Sequence, residues 1–263
     1  KSSEISLMID RKKRRQFGQN YLKDPAILFE MGEAINVSKN DRIFEIGPGM
    51  GALTNVIIKD GVEVTAMDID PMNIEFLEKK MKKIGNINFI CGDIMKADLE
   101  FIKNSRYRII GNLPYNISTQ IIIRLLELSD HIKDMHFLVQ KEVAEKICGT
   151  SSSKNWGKLS IKIGLFFNSQ KLFDVPPESF DIKPKVDSSF IRLTPAIDDF
   201  IMPKNKKDLF NIIDMSFSTR RKNIKNNLKK LNIDWSSLQL DPSARAEDLS
   251  IQDFVNIALS LEK

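Results

Sequence analysis

Asn112-Leu113-Pro114-Tyr115 ends an apolar run, and its residue types suit a flat heterocycle with an exocyclic amine. The Asn112 side-chain carbonyl can accept a hydrogen bond from such an amine. Pro114 has no N–H and restrains Leu113 to extended geometry, which fixes the directions of nearby carbonyls. Tyr115 offers a face on which a base could stack. The same residues also fit an ordinary strand-ending turn with a core tyrosine, so the surrounding chain has to decide.

That chain carries other chemistry-bearing strand ends. Residues 41–46 form a short apolar strand that runs into Gly47-Pro48-Gly49-Met50-Gly51 and then the helical pattern Leu53, Val56, Ile57. Glycines let a backbone approach a ligand closely, and a helix start presents free N–H groups. The spacing is G-x-G-x-G without Gly-Lys-Ser/Thr, so this is not a P-loop. Strand 63–68 ends in Asp68, 17 residues beyond Gly51, where a βαβ unit places an acceptor for a ribose diol. Asp68 could instead cap the next helix, a role that Asp70-Pro71 is better placed to fill. Strand 87–93 ends in Gly92-Asp93, strand 107–112 in Asn112, and strand 135–140 in Gln140. Open α/β sheets bind ligands at the carboxyl ends of their strands, so this row outweighs any single motif.

The positioning elements follow from periodicity. Asp24-Pro25 opens a helix with Ile27, Leu28, Met31 and Ile35 in phase; Ile74, Leu77 and Met81 mark another. A helix from Gly157 carries Leu159, Ile163, Phe166 and Phe167. Segments 170–175 and 188–193 read as an edge β-hairpin. A linker over 195–203 leads to helices at 209–217, 219–231 and 250–261. In the second of these Ile224, Leu228 and Leu231 share one face, and Arg221, Lys225 and Lys229 another.

The 263 residues suffice for one or two domains, with 42% hydrophobic and 29% charged residues as in ordinary globular proteins. No apolar run approaches the roughly 18 residues of a membrane span. The first residues lack an initiator Met and a signal-peptide core, which leaves an upstream targeting segment open. Cys91 and Cys148 form neither a disulfide framework nor a metal spacing, and no metal is expected. His131 and His136 lack the partners of a catalytic base. The net charge is +5, concentrated in Arg11-Lys12-Lys13-Arg14-Arg15 and in residues 202–230, which hold nine Lys or Arg against two Asp. Such blocks are the footprint of a polyanion binder, with nucleic acid favoured over an acidic membrane surface.

Several motifs in order resemble one family. Residues 45–54, EIGPGMGALT, are similar to the S-adenosylmethionine loop of class I methyltransferases. Residues 17–22 (FGQNYL), 112–118 (NLPYNIS), 140–144 (QKEVA), 184–188 (PKVDS) and 217–222 (FSTRRK) resemble the other signatures of KsgA-type ribosomal RNA adenine dimethyltransferases. The resemblance covers about residues 12–260.

It implies an α/β fold: a Rossmann-like class I methyltransferase sheet, mostly parallel with an antiparallel edge strand, and a small all-α C-terminal domain. Residues 1–195 would form the methyltransferase domain, with 1–16 a basic arm, and 196–263 a helical RNA-binding domain. The implied activity is N6,N6-dimethylation of two adjacent adenosines in the 3′-terminal hairpin of small-subunit rRNA, with S-adenosyl-L-methionine as cofactor. The implied partner is an immature small ribosomal subunit, bound by a monomer in the cytoplasm or, after targeting, an organellar matrix. Gln19, Asn20 and Leu22 would lie over the cofactor, and Gly47 at its methionine end. Asp68 would meet its ribose, Asp93 and Ile94 its adenine, and Asn112 its sulfonium, with Gly49, Gly51 and Ile69 also in the cofactor site. Asn112 with the Leu113 or Pro114 carbonyl would hold the target amine, between the rings of Tyr115 and Phe180. Arg14, Arg15, Arg220, Arg221, Lys222 and Lys225 would grip phosphates. A large-subunit rRNA methyltransferase and a non-catalytic assembly factor are the alternatives. Tyr21 stands where the family commonly has Phe, Asp68 where Glu is commoner, and Ile182 where proline is usual.

Overall fold

The computed structural model describes residues 20–59, 61–81, 86–196, 200–219 and 221–262. The expected arm over 1–16, with Arg14 and Arg15, lies outside them, as do Gln19 and Arg220. The chain divides into Lys1–Ala144 with Gln170–Thr194, and Glu145–Ser169 with Pro195–Lys263. This differs from a single boundary at 195/196. The segment 145–169 goes with the C-terminal helices because Trp156, Ile161 and Leu165 share one core with Leu209, Ile213, Phe254 and Ile257.

The strands are β1 (Arg42–Ile46), β2 (Glu63–Asp68), β3 (Asn86–Cys91), β4 (Tyr107–Asn112), β5 (Ile132–Gln140), β6 (Phe167–Val175) and β7 (Ser188–Pro195). They form one sheet in the order β3-β2-β1-β4-β5-β7-β6. The first five pair in parallel, and β7 runs antiparallel to β5. The antiparallel strand is therefore second from the edge, with β6 outside it. Central strands read as largely apolar runs, interrupted by Glu45 and Arg108, because both faces are covered: residues 43–46 of β1 and 108–111 of β4 are all buried. Gly111 permits the β1–β4 approach at this point. A Cβ there would lie 2.5 Å from the Ile46 carbonyl oxygen. The strand order reverses between β1 and β4, and a crevice opens at such a switch point.

Helix α1 (Pro25–Ile35) starts where Asp24 accepts from the N–H groups of Ala26 and Ile27, and ends where Asn36 turns left-handed at φ 49°. Helix α2 (Ala52–Ile57) follows the glycine loop. Helix α3 (Pro71–Met81) is opened by Asp70, whose Oδ1 accepts from Met72 N–H at 3.0 Å. Helix α4 (Ser118–Leu125) follows β4. At the other end of the sheet, buried Arg108 pairs with Asp41 at 2.9 Å and Asp134 at 2.8 Å, and donates to the Ile35 and Asn36 carbonyls.

In the second unit the helix expected from Gly157 is Lys158–Gly164; Phe167 already belongs to β6. Helices Lys206–Ser216 and Ile251–Ser260 lie where periodicity places them. The helix expected over 219–231 shrinks to Ile224–Asn227. Its backbone groups are taken elsewhere: Ile224 N–H donates to Ala244 and Lys225 N–H to Pro242, while Asn227 Nδ2 donates to the Ser216 and Thr219 carbonyls. Asparagine competes with helical bonding in this way. The facing still follows the periodicity, with Ile224 and Leu228 buried and Arg221, Lys222, Lys225 and Lys229 exposed. Among the described residues no helix is long and apolar enough to cross a membrane, and no cluster of His, Cys, Asp or Glu could hold a metal.

Candidate active site

A cleft of about 660 Å³ lies along the carboxyl ends of β1, β2, β3 and β4. Its floor is the glycine loop. Gly47, Gly49 and Gly51 have φ of 69°, 55° and 77°, a region that disfavours side chains. At Gly47 a Cβ would meet nothing nearer than the Asn112 carbonyl oxygen at 3.8 Å, so its missing side chain leaves open space. Gly51 has another role. A Cβ there would strike Leu77 at 2.6 Å, so it lets α3 pack closely and does not line the cleft.

Asp68 closes β2 and lines the cleft, yet it is buried. Its Oδ2 accepts from Gly49 N–H at 3.0 Å and Asn73 Nδ2 at 3.1 Å; its Oδ1 accepts from Asp70 N–H at 2.9 Å. Burial raises its pKa, against the lowering effect of these bonds. Asp93 and Ile94 form the next wall. Asp93 Oδ1 accepts from Met95 N–H at 2.9 Å, and Arg124 of α4 fixes the turn by donating to the Ile94 and Ala97 carbonyls.

Asn112 closes β4. Its amide nitrogen donates to the Asn20 carbonyl at 2.6 Å. A carbonyl only accepts, so the atom facing Asn20 must be nitrogen, and Oδ1 is the atom turned to other partners. Leu113 is buried and donates its N–H to Leu138 at 3.1 Å, which locks the tetrapeptide to β5. The Pro114 carbonyl accepts from Ile117 N–H at 3.2 Å, which favours Leu113 as the second acceptor. Tyr115 is half-buried, and its hydroxyl is held by Ser188 Oγ of β7; burial raises its pKa.

The cleft thus gathers Asn20, Gly47, Gly49, Asp68, Ile69, Asp93, Ile94, Asn112, Leu113 and Pro114. Tyr115 and Phe180 depart from expectation, since neither lines the cleft. Leu22 and Phe180 are buried in the core with Met31 and Phe190, and Leu22 also lines the cavity that adjoins the cleft. Phe180 is 0% exposed, so its ring has no free face for a base. Its segment instead tethers the 20–24 stretch: Lys23 and Asp24 N–H donate to Ser179, and Asp181 N–H donates to Tyr21.

Two residues come in that motif reading left out. Tyr21 lines the cleft, and its hydroxyl donates to Asn73 Oδ1 at 3.1 Å. Glu45, the acidic residue opening the glycine motif, lines an adjoining cavity with Tyr21, Gly47 and Asn112. It is 1% exposed, its Oε2 has no hydrogen-bond partner, and burial pushes its pKa up to about 7. An acidic residue inside the apolar run that leads into the glycine loop was the detectable signal in the sequence.

The mostly parallel sheet, with a glycine loop after β1 and acidic residues after β2 and β3, has the architecture of class I methyltransferases. Solved structures share it. A dimethyladenosine transferase from Plasmodium falciparum superposes with a TM-score of 0.77 at 25% identity, over 92% of this chain and 97% of that one. The 23S rRNA methyltransferase ErmE superposes at 0.73 and 21% identity, over 93% and 100%, a likeness of fold. Residues 10–263 match the family described as Ribosomal RNA adenine dimethylase, and the chain belongs to that family. Proteins named Ribosomal RNA small subunit methyltransferase A are 37% identical in Methylococcus capsulatus, over 94% of this chain and 97% of theirs, and 41% identical in Legionella pneumophila, over 93% and 96%.

Proposed function

We propose that this protein methylates N6 of two adjacent adenosines in the 3′-terminal hairpin of small-subunit rRNA to N6,N6-dimethyladenosine, acting as a monomer on immature small subunits. The observation that carries the reading is the orientation of Asn112: its nitrogen is committed to Asn20, and its oxygen is left for an amine beside the cleft. The small-subunit assignment draws on the relatives that match along nearly the whole chain.

The residues present fit S-adenosylmethionine. The glycine cradle leaves space at Gly47, Asp68 suits a ribose diol, and Asp93 with Ile94 suits an adenine. The Glu45 carboxylate, whose Oε2 has no hydrogen-bond partner, suits an ammonium group. When bound, the cofactor would supply an electrophilic methyl on a sulfonium. The protein's own task is then positioning and electrostatics, with no strong base required. An adenine amine is a weak nucleophile because its lone pair is delocalised into the ring. Asn112 Oδ1 and the Leu113 carbonyl, accepting its two hydrogens, favour a pyramidal and more nucleophilic nitrogen. The target base leaves its stack to reach them. Tyr115, steadied by Ser188, gives it a face to rest on. Exposed Arg221, Lys222 and Lys225 would hold phosphates, which positions RNA without reading sequence.

Transfer of labelled methyl from S-adenosylmethionine to immature small subunits, with large subunits left unlabelled, is the expected result. Labelling of large subunits alone would overturn the substrate assignment. Binding of RNA without any transfer would favour the assembly-factor reading.

A further inference from the structure

Tyr21, Asn73 and Asp68 form one hydrogen-bonded chain beside the cleft. Tyr21 Oη meets Asn73 Oδ1 at 3.1 Å, Asn73 Nδ2 meets Asp68 Oδ2 at 3.1 Å, and that oxygen also takes Gly49 N–H at 3.0 Å. Asn73 is 4% exposed and Asp68 3%. The polarity of the chain is dictated from its charged end. An ionised carboxylate only accepts, so Asn73 must turn its nitrogen to Asp68. Its oxygen then faces away and needs a donor in a buried place, and the Tyr21 hydroxyl is that donor. The Tyr21 ring also sits on the glycine loop, where a Cβ on Gly49 would lie 2.8 Å from Tyr21 Cε1. Tyr21 and Asp68 are two positions at which the chain departs from the pattern it resembles, and Asn73 joins them.

We infer that Tyr21 and Asn73 are positioning residues for cofactor binding: they fix the Asp68 carboxylate at the cleft wall and latch the Asn20–Leu22 segment onto the glycine loop. The inference rests on the S-adenosylmethionine reading of the cleft. It makes the hydroxyl of Tyr21, and not its ring alone, part of the affinity. Phenylalanine keeps the packing on Gly49 but leaves Asn73 Oδ1 buried without its donor. Leucine at 73 removes the link between Tyr21 and Asp68 altogether.

The test is calorimetric titration with S-adenosylhomocysteine and steady-state kinetics on the full chain, Tyr21→Phe, Asn73→Leu and the double variant. Each single change should weaken binding and raise KM for S-adenosylmethionine by about 5- to 20-fold, the scale of one unsatisfied buried group. kcat should stay within about twofold, because the group acts on binding and not on the reacting amine. The double variant should bind no worse than the weaker single one, since both break the same chain. Unchanged binding in Tyr21→Phe, losses that multiply in the double variant, or a fall in kcat at constant KM would each overturn the relay. Failure of the unmodified protein to bind S-adenosylhomocysteine would overturn the cofactor reading, and the relay with it.

Discussion

Asn112→Ala separates chemistry from cofactor binding. The side chain has two jobs on two atoms. Its nitrogen holds the Asn20 carbonyl at 2.6 Å, and in the proposed reaction its oxygen takes the target amine. Loss of the first bond affects a half-buried backbone group at the cleft wall, and a bond of that kind contributes about 0.5–1.5 kcal/mol. S-adenosylhomocysteine affinity should therefore fall by at most about tenfold. Loss of the oxygen removes a fixed partner of the reacting group, a change that typically costs about 10²–10³ in rate or more. Single-turnover methyl transfer should thus fall by at least that factor with cofactor saturating. Asn112→Asp sharpens the test. It keeps an acceptor but sets a carboxylate oxygen against the Asn20 carbonyl, so it should weaken cofactor binding more than alanine does. A wild-type single-turnover rate in Asn112→Ala would refute the mechanism. A loss confined to cofactor affinity would reduce Asn112 to a wall of the cleft.

Glu45 adds a pH signature. Its folded pKa of about 7 lies above its ordinary 4.5, so between those values the folded chain binds a proton that the unfolded chain has lost. Stability must fall as pH rises through that window, by up to about 3 kcal/mol at about 1.4 kcal/mol per unit, and Glu45→Gln should flatten the denaturation midpoint against pH. Replacing Arg221, Lys222 and Lys225 together with Ala should weaken RNA binding and reduce the slope of log affinity against log salt by about 2; an unchanged slope would remove them from the interface. Arg108→Met leaves Asp41 without its buried guanidinium partner and should destabilise by about 3–5 kcal/mol in chemical denaturation. Gly111→Ala should cost about 1–3 kcal/mol, because its Cβ meets backbone at Ile46 that cannot swing aside; a neutral result would mean that β1 and β4 are less tightly paired.

The sheet was legible because its strands are short apolar runs that stop at polar residues, and the stops of β1 to β4, though not Gln140 of β5, line the cleft. Residues that line the cleft through their own motif, such as Gly47, Asp68 and Asp93, were readable one at a time. Phe180 was not, because an aromatic next to a proline-rich turn reads equally as a stacking wall or a core residue, and only its 0% exposure decides. Nor was the short helix at 224–227: its apolar phase is helical, but Asn223 and Asn227 cap and divert the backbone, and the acceptors at Pro242 and Ala244 are far along the chain. The grouping of 145–169 with the last helices depends on long-range packing that no local pattern encodes.

Tyr21, Asn73 and Glu45 expose a more general limit. A row of polar strand ends suggests groups waiting for a ligand, but most of these groups are already engaged with other parts of the protein. Asp68 takes three protein N–H donors, Asp93 caps its own turn, and Asn112 spends its nitrogen on Asn20. Each such bond removes rotameric freedom before any ligand arrives, so less entropy is lost when one binds. The same economy bears on the second methylation. A monomethylated amine has one hydrogen left, so only one of the two acceptors at Asn112 and Leu113 can be used. The Leu113 carbonyl is fixed by the bond from its own N–H to Leu138, whereas the Asn112 oxygen can rotate only by giving up Asn20. Two rigid acceptors around one nitrogen therefore favour reorientation of the base over rearrangement of the pocket between the two transfers.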